Sequence, residues 1–209
     1  MSQDLFDTII VRAGTAGCLL ANRLSRDPSR RVLLVEAGRA DNYPWIHIPV
    51  GYLYCIGNPR TDWLYQTEAE TGLNGRALRY PRGKTLGGCS SINGMIYMRG
   101  QARDYDGWAA ATGDDSWSWA NSLADFKAHE DHFRLDGGAE PAGTGPRFSD
   151  LHGHGGEWRV DKQRLRWDVL EAFARAATEA GVPATDDFNT GDNHGVGFFE
   201  VNQKAGWRW

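Results

Sequence analysis

The strongest constraint on how this chain folds is a glycine-bearing turn caught between two short apolar runs. Phe6 to Val11 (FDTIIV) has the β-branched character of a strand buried on both faces. Arg12-Ala13-Gly14-Thr15-Ala16-Gly17 follows, and Cys18 to Leu24 then carries apolar residues at helical spacing. Asp27-Pro28 stops that helix, since the residue before a proline is pushed out of the helical region. Arg31 to Glu36 (RVLLVE) reads as a second buried strand, closed by Ala37-Gly38. Strand, turn, helix and strand within about 30 residues make a βαβ unit, with parallel strands and a right-handed crossover.

The turn would be G-x-G-x-x-G if position 12 were glycine; here it is Arg12. In that fingerprint the first glycine makes the tight turn, the second lets backbone approach a pyrophosphate, and the third lets helix and strand pack closely. Gly14 and Gly17 keep the last two roles, while Arg12 impairs the first. Glu36 ends the second strand about 20 residues on, where a carboxylate accepts from ribose hydroxyls and repels a 2′-phosphate. A dinucleotide site is expected, and the motif alone leaves NAD and FAD both open.

A second glycine-rich stretch runs from Gly83 to Gly100. Within it, adjacent Gly87 and Gly88, then small Cys89, Ser90 and Ser91, strip side-chain bulk from five positions. A flat aromatic ligand or a phosphate can lie against such bare backbone, with Ser90, Ser91 and Asn93 supplying hydrogen bonds. A nicotinamide enzyme has no need of this second motif. Between the two motifs, Asp41 to Tyr80 has weak periodicity and reads as an extended segment, with strand at Leu78–Arg82. Helices are expected over 104–111, 122–132 and 168–180, the last amphipathic through Leu170, Phe173, Ala174 and Ala177. Strands are expected over 157–160 and 197–203. The glycine- and proline-rich loop at 137–156 is the expected domain boundary.

Composition excludes several classes. Twenty-three basic against 27 acidic residues give a net charge of −4 and no electrostatic footprint for nucleic acid or an anionic membrane. No apolar run approaches the roughly 20 residues of a membrane helix. Cys18, Cys55 and Cys89, odd in number and far apart, suggest reduced thiols and a cytoplasmic setting. His129 and His132 lack the spacing of a zinc helix and are expected on a solvated face; His152 and His154 are expected exposed in the loop. No metal site is expected.

The sequence resembles the glucose–methanol–choline (GMC) oxidoreductases, flavoproteins that oxidise alcohols. The resemblance rests on FDTIIVxAGTAGCLLANRLS, VLLVEAG, TDW at 61–63, YPRGKTLGGCSSINGMIYMRG at 80–100, DYDGW at 104–108 and FNTGDNHGVGFFEVNQ at 188–203, in family order along nearly the whole chain. It is most similar to the choline dehydrogenase and bacterial FAD-dependent alcohol dehydrogenase branch. The fold so implied is α/β: an incomplete FAD-binding Rossmann-like domain over 1–150, followed by the start of an α+β substrate-binding domain over 151–209.

The resemblance implies FAD-binding roles position by position. Gly14, Thr15, Ala16 and Gly17 match the pyrophosphate turn, and Glu36, with Ala37 and Gly38, matches the adenosine ribose segment. Trp63, Arg82, Gly83, Leu86, Gly87, Gly88, Ser90, Asn93, Gly94 and Met95 match the stretch along the ribityl chain and isoalloxazine. Some members attach flavin through a histidine at the position of Ile92, so FAD is expected to be non-covalent here. Members are longer than this chain and end in a histidine-bearing catalytic region with no counterpart among these residues. No catalytic residue is therefore assigned, and the isolated chain is expected to be inactive, its small alcohol substrate belonging to the full-length enzyme. An uncovered face or edge of the sheet is expected, a surface open to association. The alternative is an inactive remnant or split-protein piece that binds FAD weakly or not at all.

Overall fold

A computed structural model describes residues 5–138, 140 and 147–209. The chain divides into two units, one of residues up to Met95 together with 206–208, the other of Ile96–Ala205 with Trp209.

In the first unit, β1 (Thr8–Val11) and β2 (Val32–Val35) pair in parallel, Thr8 opposite Val32 and Val11 opposite Val35, with α1 (Thr15–Leu24) between them in sequence. The βαβ expectation holds, but burial on both faces does not. Ile10 is the one buried residue of β1, while Ile9 is 59% and Val11 74% exposed. The reason is the size of the sheet: among the described residues it has two strands, so nothing covers the side away from α1. The segment expected to be extended instead folds into α2 (Pro44–His47), α3 (Tyr52–Cys55) and a short antiparallel pair, β3 (Tyr65–Gln66) with β4 (Arg79–Tyr80). Its aromatics find a local core: Ile46, Cys55 and Ile92 are buried together, with Tyr43 and Trp45 packed against them.

The second unit is built on a four-stranded sheet. Its order is β5 (Ile96–Tyr97), β8 (Glu200–Val201), β7 (Trp158–Lys162), β6 (Glu130–His132); β6 and β7 run parallel and the other pairs antiparallel. The unit also holds α4 (Ala102–Thr112), α5 (Trp119–His129), α6 (Phe148–Leu151) and α7 (Asp168–Glu179). Helix α5 stops at His129, so Glu130–His132 is strand where the sequence reads as helix. Helix α7 keeps its apolar stripe, yet Phe173 is 68% exposed. The described part of the loop at 137–156, the expected boundary, lies inside the second unit; Gly143 and Gly145 fall outside the described residues. A Cβ on Gly153 would overlap the carbonyl of Lys127, and one on Gly156 the backbone at His129. The loop's glycines thus press it onto α5 rather than releasing a linker.

The core of this unit is charged. His132 and His152, expected in water, are fully buried, which overturns that expectation. His152 Nδ1 lies 3.1 Å from Glu130 Oε2, and its Nε2 lies 2.9 Å from Asp187 Oδ2. Arg99 Nη2 donates to Glu130 at 2.9 Å, and His132 Nε2 donates to Glu200 at 2.9 Å. His132 Nδ1 accepts from Arg134 N at 3.2 Å, which fixes it as the neutral tautomer. With a carboxylate at each ring nitrogen, His152 is held as the cation. Burial opposes that charge, but the bonds to Asp187 and Glu130 outweigh it and raise the pKa. For Glu130 and Asp187 burial raises the pKa, but the hydrogen bonds from His152 act together with its charge, the nearby Arg99 or Arg134 charge and a backbone N–H of Gly153 or Asn189 to outweigh it, so both end lowered.

Linkage converts these directions into a stability window. The His152 contribution is complete below its unfolded pKa, about 6.5, and is lost as pH rises through the raised folded value. The carboxylate contributions are complete above the unfolded values, about 4, and are lost as pH falls through the lowered folded ones. Denaturant midpoints of this unit from pH 2 to 9 should be highest between about pH 4.5 and 6.5 and fall on both sides; a midpoint that climbs steadily to pH 9 contradicts a buried imidazolium.

Candidate functional site

All seventeen positions matched to FAD lie in the first unit, and the two glycine motifs meet there. Gly87 N donates to Ala13 O at 2.7 Å, Gly14 and Gly87 form a parallel bridge, and a Cβ on Gly88 would come within 3.0 Å of Gly14 Cα. Gly87 and Gly88 have φ of 86° and 55°, the left-handed region that costs glycine least. The ribose segment joins the same cluster. Leu86 N and the Thr85 hydroxyl donate to Arg39 O at 2.9 and 3.0 Å, and a Cβ on Gly38 would overlap the backbone of Lys84.

The first turn is laid out as an anion cradle. Gly14, in extended conformation, caps α1 with no side-chain hydrogen bond, and Thr15 and Ala16 are exposed in the first turn. The first N–H groups of a helix have no intrahelical acceptor, and the helix dipole adds positive potential there. A Cβ placed on Gly14 meets no atom within 4 Å, so open space lies where ligand backbone contact is expected. Gly17 does its packing work: a Cβ there would overlap the carbonyl oxygen of Arg12. Glu36 braces the turn, its two oxygens accepting from Ala13 N and Gly38 N, each at 2.8 Å. Each carboxylate oxygen retains a lone pair for a hydroxyl. Ala37 beside it is exposed.

Arg12 has φ of 81° and an exposed side chain. The left-handed region costs a non-glycine residue about 1–2 kcal/mol, and glycine's extra unfolded-state entropy offsets part of any gain. Arg12→Gly should therefore stabilise the unit by about 1 kcal/mol, measured by urea unfolding; equal or lower stability contradicts the strain.

The second motif wraps Gly83–Met95 into a tight loop. Gly83 could carry no Cβ without overlapping Gly88 O, and its N–H points at Cys89 Sγ, 3.4 Å away. The Ser90 and Ser91 hydroxyls donate to Gly87 O and Leu86 O at 2.6 and 2.7 Å. Their protons thus hold the loop rather than face a ligand, as the sequence had suggested, and only their lone pairs remain. Leu86, Asn93 and Gly94 are exposed, while Met95 is buried with φ of 64°. Trp63 N donates to Arg82 O at 2.9 Å; the Trp63 ring stacks on Tyr65 and lies under the Lys84 ammonium. Arg82 covers Tyr80, with its guanidinium carbon 3.6 Å from the ring centroid.

Two residues that organise this site escape sequence reasoning. Asp62, buried beside Trp63, accepts from Gly57 N, Leu64 N and Arg82 N at 2.8, 3.0 and 3.1 Å, tying the Trp63 segment to the second motif. The TDW triplet was its one signal. Arg208 gave no signal at all.

The chain is 43% identical over 205 residues to an alcohol dehydrogenase [acceptor] of Pseudomonas putida, covering 98% of this chain and 35% of that protein. It is 40% identical over 206 residues to an oxygen-dependent choline dehydrogenase of Staphylococcus haemolyticus, covering 97% of this chain and 34% of that one. The pyridoxine 4-oxidase crystal structure from Mesorbium loti superposes with a TM-score of 0.86 at 37% identity, over 98% of this chain and 38% of that one. The chain thus spans about a third of the length of the curated relatives it matches. The GMC oxidoreductase family model matches residues 6–209, and the chain belongs to that family.

Proposed function

We propose that this chain holds FAD non-covalently in its first unit and forms the N-terminal part of an oxidoreductase acting on CH–OH donors of the alcohol or choline type. The observation that carries the reading is the union of the two glycine motifs through Gly87 N and Ala13 O, beside open space at Gly14. FAD is the cofactor of this family, and the donor set fits it. The Gly14–Gly17 backbone would take the pyrophosphate at the α1 N-terminus, and Glu36, with Ala37 and Gly38 beside it, the adenosine ribose. Trp63, Arg82, Gly83, Leu86–Gly88, Ser90 and Asn93–Met95 would line the ribityl chain and the flavin ring.

When bound, FAD supplies the acceptor for a hydride leaving the alcohol carbon. The chain's own part is to bind and orient: bare backbone at Gly87 and Gly88 lets a flat ring approach, and Asn93 offers amide protons. Ile92 sits in the apolar core with Ile46 and Cys55 and has no nucleophilic atom, so it cannot form a covalent link. By the sequence reading, the FAD-binding portion runs over 1–150 and the substrate-binding portion begins at 151. Flavin should bind the folded chain at micromolar concentration and pass wholly into the supernatant on acid precipitation. Folded protein that takes up no flavin contradicts the site, and colour kept in the pellet contradicts non-covalent binding.

A further inference from the structure

Arg208 lies in the first unit, and its guanidinium is held without an acidic partner. Nε donates to Ile46 O at 2.7 Å, Nη1 to Ser90 O and Asn93 Oδ1 at 2.8 Å each, and Nη2 to Asn93 O at 2.7 Å. Four of its five N–H donors thus end on oxygens of two short segments, one of them the second glycine motif. Among the described residues no carboxylate lies within ion-pair distance, and burial brings its pKa down to about 10, so it stays charged at neutral pH.

The consequence falls on Asn93. Its Oδ1 accepts from Arg208 Nη1 and also from Met95 N at 3.1 Å, which uses both lone pairs. The opposite amide orientation would set Nδ2 protons against two N–H donors and is excluded. Asn93 is exposed, and its Nδ2 has no protein partner among the described residues, leaving two N–H groups to donate. An isoalloxazine carries carbonyl oxygens and ring nitrogens that accept hydrogen bonds. We propose that Arg208 is a positioning residue for the flavin: by occupying Asn93 Oδ1 and the carbonyls of Ser90 and Asn93, it fixes the Asn93 amide as a donor to the ring. This rests on the reading that the first unit binds FAD. The fork matters as well as the charge, because one ammonium cannot serve acceptors at this spread.

The test is a double-mutant cycle on FAD affinity, with thermal unfolding of the flavin-free chain in parallel. Arg208→Met and Asn93→Ala should each weaken FAD binding by about 10-fold, or about 1.4 kcal/mol. The double variant should be no more than about 3-fold weaker than Asn93→Ala alone, since Arg208 acts through Asn93. Arg208→Lys, which keeps the charge and most of the stem, should bind FAD nearly as weakly as Arg208→Met and serves if the Met variant does not fold. Multiplying effects in the double variant would indicate an independent structural role and overturn the proposal. So would full affinity in Arg208→Met or Arg208→Lys. If the unaltered chain binds no FAD, the cofactor reading itself has failed and this proposal falls with it, an outcome distinct from tight binding that ignores Arg208.

Discussion

Replacing Arg99 by methionine should destabilise the second unit by about 3–5 kcal/mol, the range for breaking a buried ion pair from one side. The Arg99 and Glu130 side chains are each 1% exposed, so water cannot replace the lost partner. Around them the charges balance: Glu130 and Asp187 are negative, Arg99 and His152 positive. Removing Arg99 leaves a net buried anion. It also strips donors from Leu151 O and Asn189 O, 2.8 and 3.2 Å from Nη1, and from the Tyr97 hydroxyl, 3.2 Å from Nε. Methionine restores some apolar volume but no hydrogen bond. Against a usual domain stability of about 5–15 kcal/mol, this loss approaches unfolding. Arg99→Met with Glu130→Gln should recover part of it, because the uncompensated charge goes too. Urea denaturation of the three proteins checks this; a loss under about 1 kcal/mol for the single variant contradicts a desolvated charge network.

That network shows where the sequence was silent. His132 and His152 look like loop and surface residues, since each partner lies far off in sequence: Glu130 is 22 positions from His152, and Asp187 is 35. Burial of a polar side chain is decided by partners, and single-sequence periodicity carries no information about them. Glu130-Asp131-His132 has no apolar alternation to mark it as strand. Arg208 escaped for the same reason, its acceptors lying 115 to 162 positions earlier. By contrast, the βαβ unit was legible because glycine spacing and β-branched runs are local signals. The second motif stood out because its five consecutive small residues are a local signal, and the structure uses that smallness to bring Gly88 against Gly14. In β1, an apolar run reports only what could be buried, and Val11 has nothing over it among the described residues.

Gly14→Val should separate folding from cofactor binding. Position 14 has φ of −77° and ψ of −174°, an extended conformation that valine adopts readily. A Cβ there meets no protein atom within 4 Å, so the cofactor-free chain should unfold within about 0.5 kcal/mol of the unaltered one. Gly17 and Gly38 offer no such test, because a Cβ at either overlaps backbone and folding would suffer as well. If the open space at Gly14 is where the pyrophosphate approaches the backbone, the added isopropyl group should weaken FAD binding at least 10-fold, or about 1.4 kcal/mol.

The most direct measurement is a calorimetric titration of FAD into the unaltered chain and into Gly14→Val, with the thermal midpoint of each recorded first. Saturable one-to-one binding to the unaltered chain is expected, with matching midpoints without flavin and binding to the valine variant at least about 10-fold weaker. Equal affinity in the two proteins, or no heat of binding to the unaltered chain while it is folded, would contradict an FAD site built on the Gly14 turn.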